Sequence, residues 1–221
     1  ETTSPIKIRK GKVGRYSNPD VGFLVIAGDY TVEAWMLKNG EAELLIDKSP
    51  FKVKSLNNHA LPAKNLDELK AIRLEVAELS RVISGAGKLL SEKKEKVNLM
   101  EHAIKTYPNA DLKLLPTVRE IKTEMRQARV MLYGEGLLSS KDTETLPGLA
   151  SRLGVVEYQL FKSTTSPTKM QYDNLAIVKE QYEAYKELLG SFSAKMKKVE
   201  EALDAVSIPY TKGKSESWKE E

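Results

Sequence analysis

Cysteine is absent from this chain. That absence excludes disulfides, thiolate metal sites and cysteine nucleophiles, and it leaves the compartment open. Histidine is scarce: His59 and His102 lie far apart, and neither has His or carboxylate neighbours at metal-ligand spacing. No apolar run approaches the roughly 20 residues that span a bilayer. Charge of one sign is also missing. The net charge is +4 over 221 residues; residues 1–60 hold nine Lys/Arg against seven Asp/Glu, and residues 61–221 hold 26 against 24. A balance this even gives no electrostatic footprint for nucleic acid, and none is expected as a partner. Acid–base or nucleophilic chemistry would rest on carboxylates or on Ser/Lys. We expect no cofactor and no metal.

What the chain has in abundance is a seven-residue apolar repeat. From Leu69 it runs through Ile72, Val76, Leu79, Ile83, Ala86, Leu90, Lys93, Val97, Met100 and Ile104 to Tyr107. From Leu175 it runs through Val178, Tyr182, Tyr185, Leu189, Phe192, Met196, Val199 and Leu203 to Val206. Spacings of three and four alternate, and Lys93 alone breaks the apolar pattern. Such regularity marks long helices packed side by side. Lys93 is read as snorkelling over the core or as a polar layer that fixes register.

Residues 5 to 56 follow period two instead. Val21–Ile26 is a short apolar run, and Tyr30–Leu37 and Ala42–Val53 read as strands joined by Lys38-Asn39-Gly40-Glu41. Asn-Gly supplies the two positive φ angles of a type I′ turn. Ser49-Pro50 is expected to interrupt the second strand. With Ile6–Ile8 and Lys12–Tyr16 this predicts four or five antiparallel strands, an immunoglobulin- or fibronectin-like sandwich that is reduced or incomplete. The fold class is therefore α+β, with an antiparallel β region over 1–62 and a helical bundle over 63–221.

Four helices are predicted. The first spans Leu66 to Tyr107, with Asn65 as N-cap and Glu68 as capping-box partner. The second spans Leu112 to Tyr133, and the third Thr145 to Lys162, with Pro147 in its first turn. The fourth runs from a Thr168 cap to Val206. The two long helices are each about twice the length of the short ones. We favour an antiparallel four-helix bundle with a two-helix stalk; the alternative stacks helices two and three end to end in a long three-helix bundle. The tail is expected to fold back through Pro209, Tyr210 and Trp218.

Motifs with chemistry are few. Ser84-Gly85-Ala86-Gly87-Lys88 resembles the end of a phosphate loop, but Val82 and Leu89 occupy the required Gly and Ser/Thr positions, and no strand precedes it. Glu75/Glu78 and Glu183/Glu187 sit at helical spacing, as solvated-face pairs do. The runs Lys93-Lys94-Glu95-Lys96 and Lys195-Met196-Lys197-Lys198 are flanked by glutamates, which signals exposed pairing. Tyr182 and Tyr185 read as core. Tyr30, Trp35 and Trp218 are retained as candidate ligand or interface contacts. Trp35 reads first as core of the β region, and second as a sugar-stacking ring on its face.

Several ordered segments carry a resemblance: Ala27-Gly28-Asp29-Tyr30-Thr31-Val32, Phe51–Asn58 with Leu61-Pro62, Ser163–Thr168, and Ile208-Pro209-Tyr210-Thr211-Lys212-Gly213 with Trp218. Together they are similar to the C-terminal region of bacterial sortilin-like proteins built from BNR/Asp-box β-propellers, often labelled glycosyl hydrolase-like. The resemblance implies an extracytoplasmic protein, periplasmic or secreted, whose propellers lie upstream of Glu1. The abrupt Glu1-Thr-Thr-Ser-Pro start agrees with a processed or excised piece. No Asp-box (Ser-x-Asp-x-Gly-x-x-Trp) occurs here, so any sugar or peptide site would belong to those propellers. The expected role is a non-catalytic module that supports or docks the upstream propellers. Self-association along a helical seam and carbohydrate binding on the β face are the alternatives.

Overall fold

A computed structural model describes residues 23–56, 61–136 and 144–211. The chain is α+β: an antiparallel hairpin, β1 (Gly28–Lys38) and β2 (Glu41–Val53), precedes four helices. These are α1 (Leu66–Thr106), α2 (Leu115–Tyr133), α3 (Leu149–Lys162) and α4 (Lys169–Ala205), with a 3₁₀ turn over Leu112–Leu114 before α2. The other expected strands, 6–8 and 12–16, lie outside the described residues, as do His59 and Trp218.

Local chemistry sets most boundaries. The Asn65 side chain accepts from the Asp67 and Glu68 amides at 3.0 and 3.2 Å, satisfying two orphan donors of α1. Glu68 is turned away from a capping box and accepts from the Tyr172 hydroxyl at 2.7 Å. The reciprocal box forms instead on α4, between Thr168 and Gln171. Helix α3 starts four residues later than expected. Gly148 is its N-cap and Pro147 stays outside the helix, because the chain here must cross to a new helix axis.

The stacked arrangement is the one that forms, and it corrects the preferred four-helix bundle. Ion pairs and hydrogen bonds fix the directions. Lys179 of α4 pairs with Glu75 of α1, and farther along Lys96 pairs with Glu200 at 2.8 Å, so α1 and α4 run parallel. Helix α2 returns along the second half of α1, where Lys122 meets Glu101. Helix α3 continues in the same direction along the first half, where Ser80 donates to Glu157 at 3.0 Å. The result is three columns, up, down and up, with α2 and α3 end to end in the middle. No free two-helix stalk is left among the described residues. At the junction, a Cβ on Gly148 would come within 2.5–2.7 Å of the Gly134, Tyr133 and Leu132 backbones. Two chain segments meet there at a distance only glycine permits.

One continuous core fills the length of the bundle. The heptad positions are its members: Leu69, Val76, Val97 and Ile104 on α1, and Leu175, Tyr185, Phe192 and Val199 on α4, are buried. Each such apolar side chain contributes roughly 1.5–3 kcal/mol by leaving water. The middle column adds Ile121, Met125, Ala128 and Leu132, then Leu149, Leu153, Val156 and Leu160. Lys93 is half-buried, and the Tyr185 hydroxyl donates to the Ala86 carbonyl at 3.3 Å. Burial pushes the Tyr185 hydroxyl pKa up to about 12. The described tail folds back as expected: Ile208 and Tyr210 are buried, and the Lys96 ammonium lies 5.6 Å from the centre of the Tyr210 ring.

Glu101 carries a pH prediction. Hydrogen bonds from Lys122 first, and then Lys105, pull its pKa from 4.5 down to about 2. A carboxylate depressed in the folded state stabilises above its unfolded pKa and loses that stabilisation on protonation. Urea midpoints measured from pH 7 downward should therefore fall between about pH 5 and pH 2. Glu101→Gln should flatten that part of the profile; an unchanged acid limb in the variant would show that Glu101 does not govern it.

Candidate functional site: an exposed hairpin

The hairpin is built from its turn outward. Asn39 and Gly40 take φ of 55° and 87°, the positive pair expected from Asn-Gly. Ten cross-strand pairs follow, from Lys38↔Glu41 to Gly28↔Val53, with irregularities around Ala34 that bend and twist the ribbon. The second strand runs straight through Ser49-Pro50, contrary to the expected break; Pro50 sits opposite Thr31. Proline has no N–H to give to a strand on either side, so it weakens β2 as an edge. β1 contains no proline, and its outer edge keeps its donors.

The side chains on this ribbon face water. Trp35 is 55% exposed and Leu37 80%, and Val32, Leu44, Leu45, Ile46 and Phe51 are also exposed. Trp35 is thus not core, which corrects the first reading of it. Successive strand residues point to opposite faces. Leu44 sits opposite Trp35 and Ile46 opposite Ala34, successive β1 residues on opposite faces, so both faces of the ribbon are apolar across the bulge at Leu45. The hairpin makes only slight contact with the helices. A lone two-stranded hairpin is marginally stable in water.

The base of the hairpin is held firmly. Arg73 on α1 is 4% exposed. Its guanidinium donates to the Leu24 carbonyl at 3.0 Å and to the carbonyls of Leu160 and Ser163 at 3.2 and 2.9 Å. The last two belong to the C-terminal end of α3, where carbonyls lack helical partners and the dipole favours a cation. Phe23 completes the clamp, 6.5 Å from the Phe161 ring and 6.0 Å from the Arg73 guanidinium carbon. Burial lowers the Arg73 pKa. Sequence reading missed Arg73, because its partners are backbone carbonyls 49 to 90 residues away.

The candidate contact residues do not converge. Tyr30 stacks on Phe51 with ring centres 5.8 Å apart and donates its hydroxyl to the Ile26 carbonyl at 2.7 Å. Trp35 pairs with Leu44 nearer the turn, five residues farther along β1, or roughly 17 Å at the strand rise. The two rings are too far apart to make one sugar-stacking shelf. The carboxylate pairs singled out from sequence are taken up by lysine and arginine: Glu75 pairs with Lys179, Glu78 with Arg81 and Glu183 with Lys186. A hydrogen bond from Arg81 holds Glu78 below the usual carboxylate range, the reverse of what a general acid needs. Among the described residues, no group of three or more His, Asp or Glu is placed to hold a metal ion, and no helix is long and apolar enough to cross a membrane.

No protein-family model, no curated protein and no solved structure matches this chain. Its function is therefore argued from the hairpin and the bundle themselves.

Proposed function

We propose that this chain is a non-catalytic docking module. Its bundle is a rigid rod, and its hairpin is an unfinished sheet that an adjoining polypeptide completes. The observation that carries this reading is the two-sided apolar ribbon, whose β1 outer edge is paired by no other strand among the described residues. Three consecutive exposed apolar residues in a strand are a defect unless something covers them. Strand addition is a common way to cover them: main-chain hydrogen bonds supply affinity and alternate side chains supply fit.

In this proposal the completing polypeptide is the β-propeller region upstream of Glu1, in an extracytoplasmic protein of the sortilin-like BNR type. The clamp at Phe23 and Leu24 supports it, because it fixes the direction in which the hairpin leaves the rod. Association along a helical seam is less favoured, since the heptad positions that would form the seam are spent inside the bundle.

The test is hydrogen exchange on this chain and on the full-length polypeptide that contains it. Amides of β1 and β2 should exchange rapidly in the isolated chain and at least tenfold more slowly in the longer protein. Leu37→Glu together with Leu45→Glu should abolish that slowing while leaving the bundle's melting temperature unchanged. Equal exchange in both forms would overturn the docking role. An upstream reading frame without Asp-box repeats would overturn the propeller assignment.

A further inference from the structure

A second feature lies away from the hairpin, on the side of the rod where α1 and α2 run antiparallel. The two helices share the buried core through residues such as Val97 and Met125, and two further contacts bracket its outer side. At one end the Tyr133 ring covers Gly87, where an added Cβ would overlap the tyrosine hydroxyl. At the other end Lys122 pairs with Glu101. Between these points the helices leave an open groove of about 890 Å³. Leu90, Val97 and Met125 lie beneath it, buried in the core; half-buried Val130 and exposed Tyr133 give it apolar surface, and its walls present Lys94 from α1 and Arg126 and Arg129 from α2.

These three cations differ from those that pair across the bundle. At other helix contacts a lysine meets a carboxylate: Lys96 meets Glu200, Lys179 meets Glu75, and Lys195 meets Glu120 and Glu124 at 3.0 and 2.7 Å. Lys94, Arg126 and Arg129 face each other's helices with no such partner. None of their own neighbours three or four positions away is acidic either. Arg126 instead has Lys122 four residues before it and Arg129 three residues after, spacings at which like charges destabilise a helix. Among the described residues that line the groove, Glu135 is the only acidic one, and it lies beyond the end of α2. Local rules broken without compensation mark sites kept for a ligand.

We infer that this groove binds an acidic, partly apolar peptide segment of a partner protein. Its shape favours an extended polymer over a single small anion. The fourteen helical steps from Gly87 to Glu101 span about 21 Å, the reach of about six extended residues. The volume lies in the range of groove and cleft sites for sizeable ligands. A lone phosphate would need convergent backbone N–H groups, as at a helix N-terminus. The walls here are helix sides. The guanidiniums of Arg126 and Arg129 suit side-chain carboxylates, while Val130 and Tyr133 can take the apolar residues between them.

The experiment titrates this chain with a fluorescein-labelled hexapeptide of alternating Glu and Leu, and with its alternating Lys and Leu counterpart. The acidic peptide should bind saturably, more weakly as salt rises, and the basic one should not. Arg126→Gln with Arg129→Gln should weaken binding at least tenfold, because each lost charge-assisted hydrogen bond is worth about that factor. Lys197→Gln with Lys198→Gln should leave binding unchanged. The groove variant should also melt no lower than the parent chain, since it removes repulsion; a purely structural role for the arginines would lower its melting temperature. The proposal is overturned by the absence of saturable binding up to about 1 mM peptide, by equal binding to the arginine variant, or by anionic phospholipid vesicles binding through the same arginines when the peptide does not.

Discussion

Arg73→Leu should cost about 3 kcal/mol of unfolding free energy, and it should release the hairpin from the rod. The guanidinium donates to three carbonyls at a site 4% exposed. A hydrogen bond from a charged group contributes about 1.5–3 kcal/mol net, and a buried acceptor left without its donor adds its own penalty. Three such bonds sum to about 4.5 kcal/mol or more; regained apolar contact of leucine with Phe23 and hydration of the freed carbonyls bring the expected loss below that sum, to about 3 kcal/mol. The charge itself is stabilised by the C-terminal end of α3, with no carboxylate involved. Arg73→Lys should recover less than half of the loss, because an ammonium lacks the planar fork that reaches Leu24, Leu160 and Ser163 together. Urea denaturation gives the free energies, and proteolysis at Leu24–Ile26 reports the release. If Arg73→Leu costs under about 1 kcal/mol, with cleavage at those residues unaltered, the clamp does not hold the hairpin.

Gly148→Val is expected to be at least as damaging, at about 3 kcal/mol or more, because overpacking that backbone cannot relieve exceeds the usual 1–3 kcal/mol. The atoms that a Cβ would meet are the Gly134 amide nitrogen, the Tyr133 carbonyl carbon and the Leu132 carbonyl oxygen. None can swing aside as a side-chain tip could. The variant must either part α2 from α3 or shift the start of α3 along its core stripe. Gly154 makes the contrast. It lies within α3 with nothing near its open side, so Gly154→Ala should raise stability by about 0.5–1 kcal/mol through helix propensity. Thermal melts of the two variants should move in opposite directions. A Gly148→Val protein as stable as the parent would mean that the stacked junction is looser than the close approach of Gly134 and Gly148 indicates.

The helices were legible because their information is local and periodic. The seven-residue stripe from Leu69 to Ile104 marked the buried face of α1, and the stripe from Leu175 to Leu203 marked that of α4. The Asn65 and Thr168 caps and the Asn39-Gly40 turn act through contacts within a few residues, so their chemistry could be read in place. Column direction was not legible in the same way. An apolar stripe states that a face must be buried; it does not name the partner. Helices two and three could have lain beside each other or in line, and both arrangements bury Val118–Leu132 and Leu149–Leu160. The meeting of Gly134 with Gly148 decided for the line, and a three-column rod then made α1 and α4 parallel.

The two surface features were hidden for a related reason. Trp35 read as core because apolar strand residues usually are, and the alternation of a strand does not show whether a second layer exists to cover it. The run of three apolar residues, Leu44–Ile46, did carry a signal: alternation fails there, so both faces must be apolar. Lys94 fell in a run read as exposed pairing, and Arg126 lies on a separate helix. Only the antiparallel return of α2 places them on one groove without a carboxylate between them.

Sequence alone determined the α+β class, the helix lengths, the inward faces and the hairpin turn, since each follows from backbone preference or side-chain period over a few neighbouring positions. Tertiary structure alone decided the parallel run of the long helices, the Arg73 clamp, the bare hairpin and the cationic groove. Those depend on residues tens of positions apart being brought within a few ångströms, and no local preference encodes such a meeting.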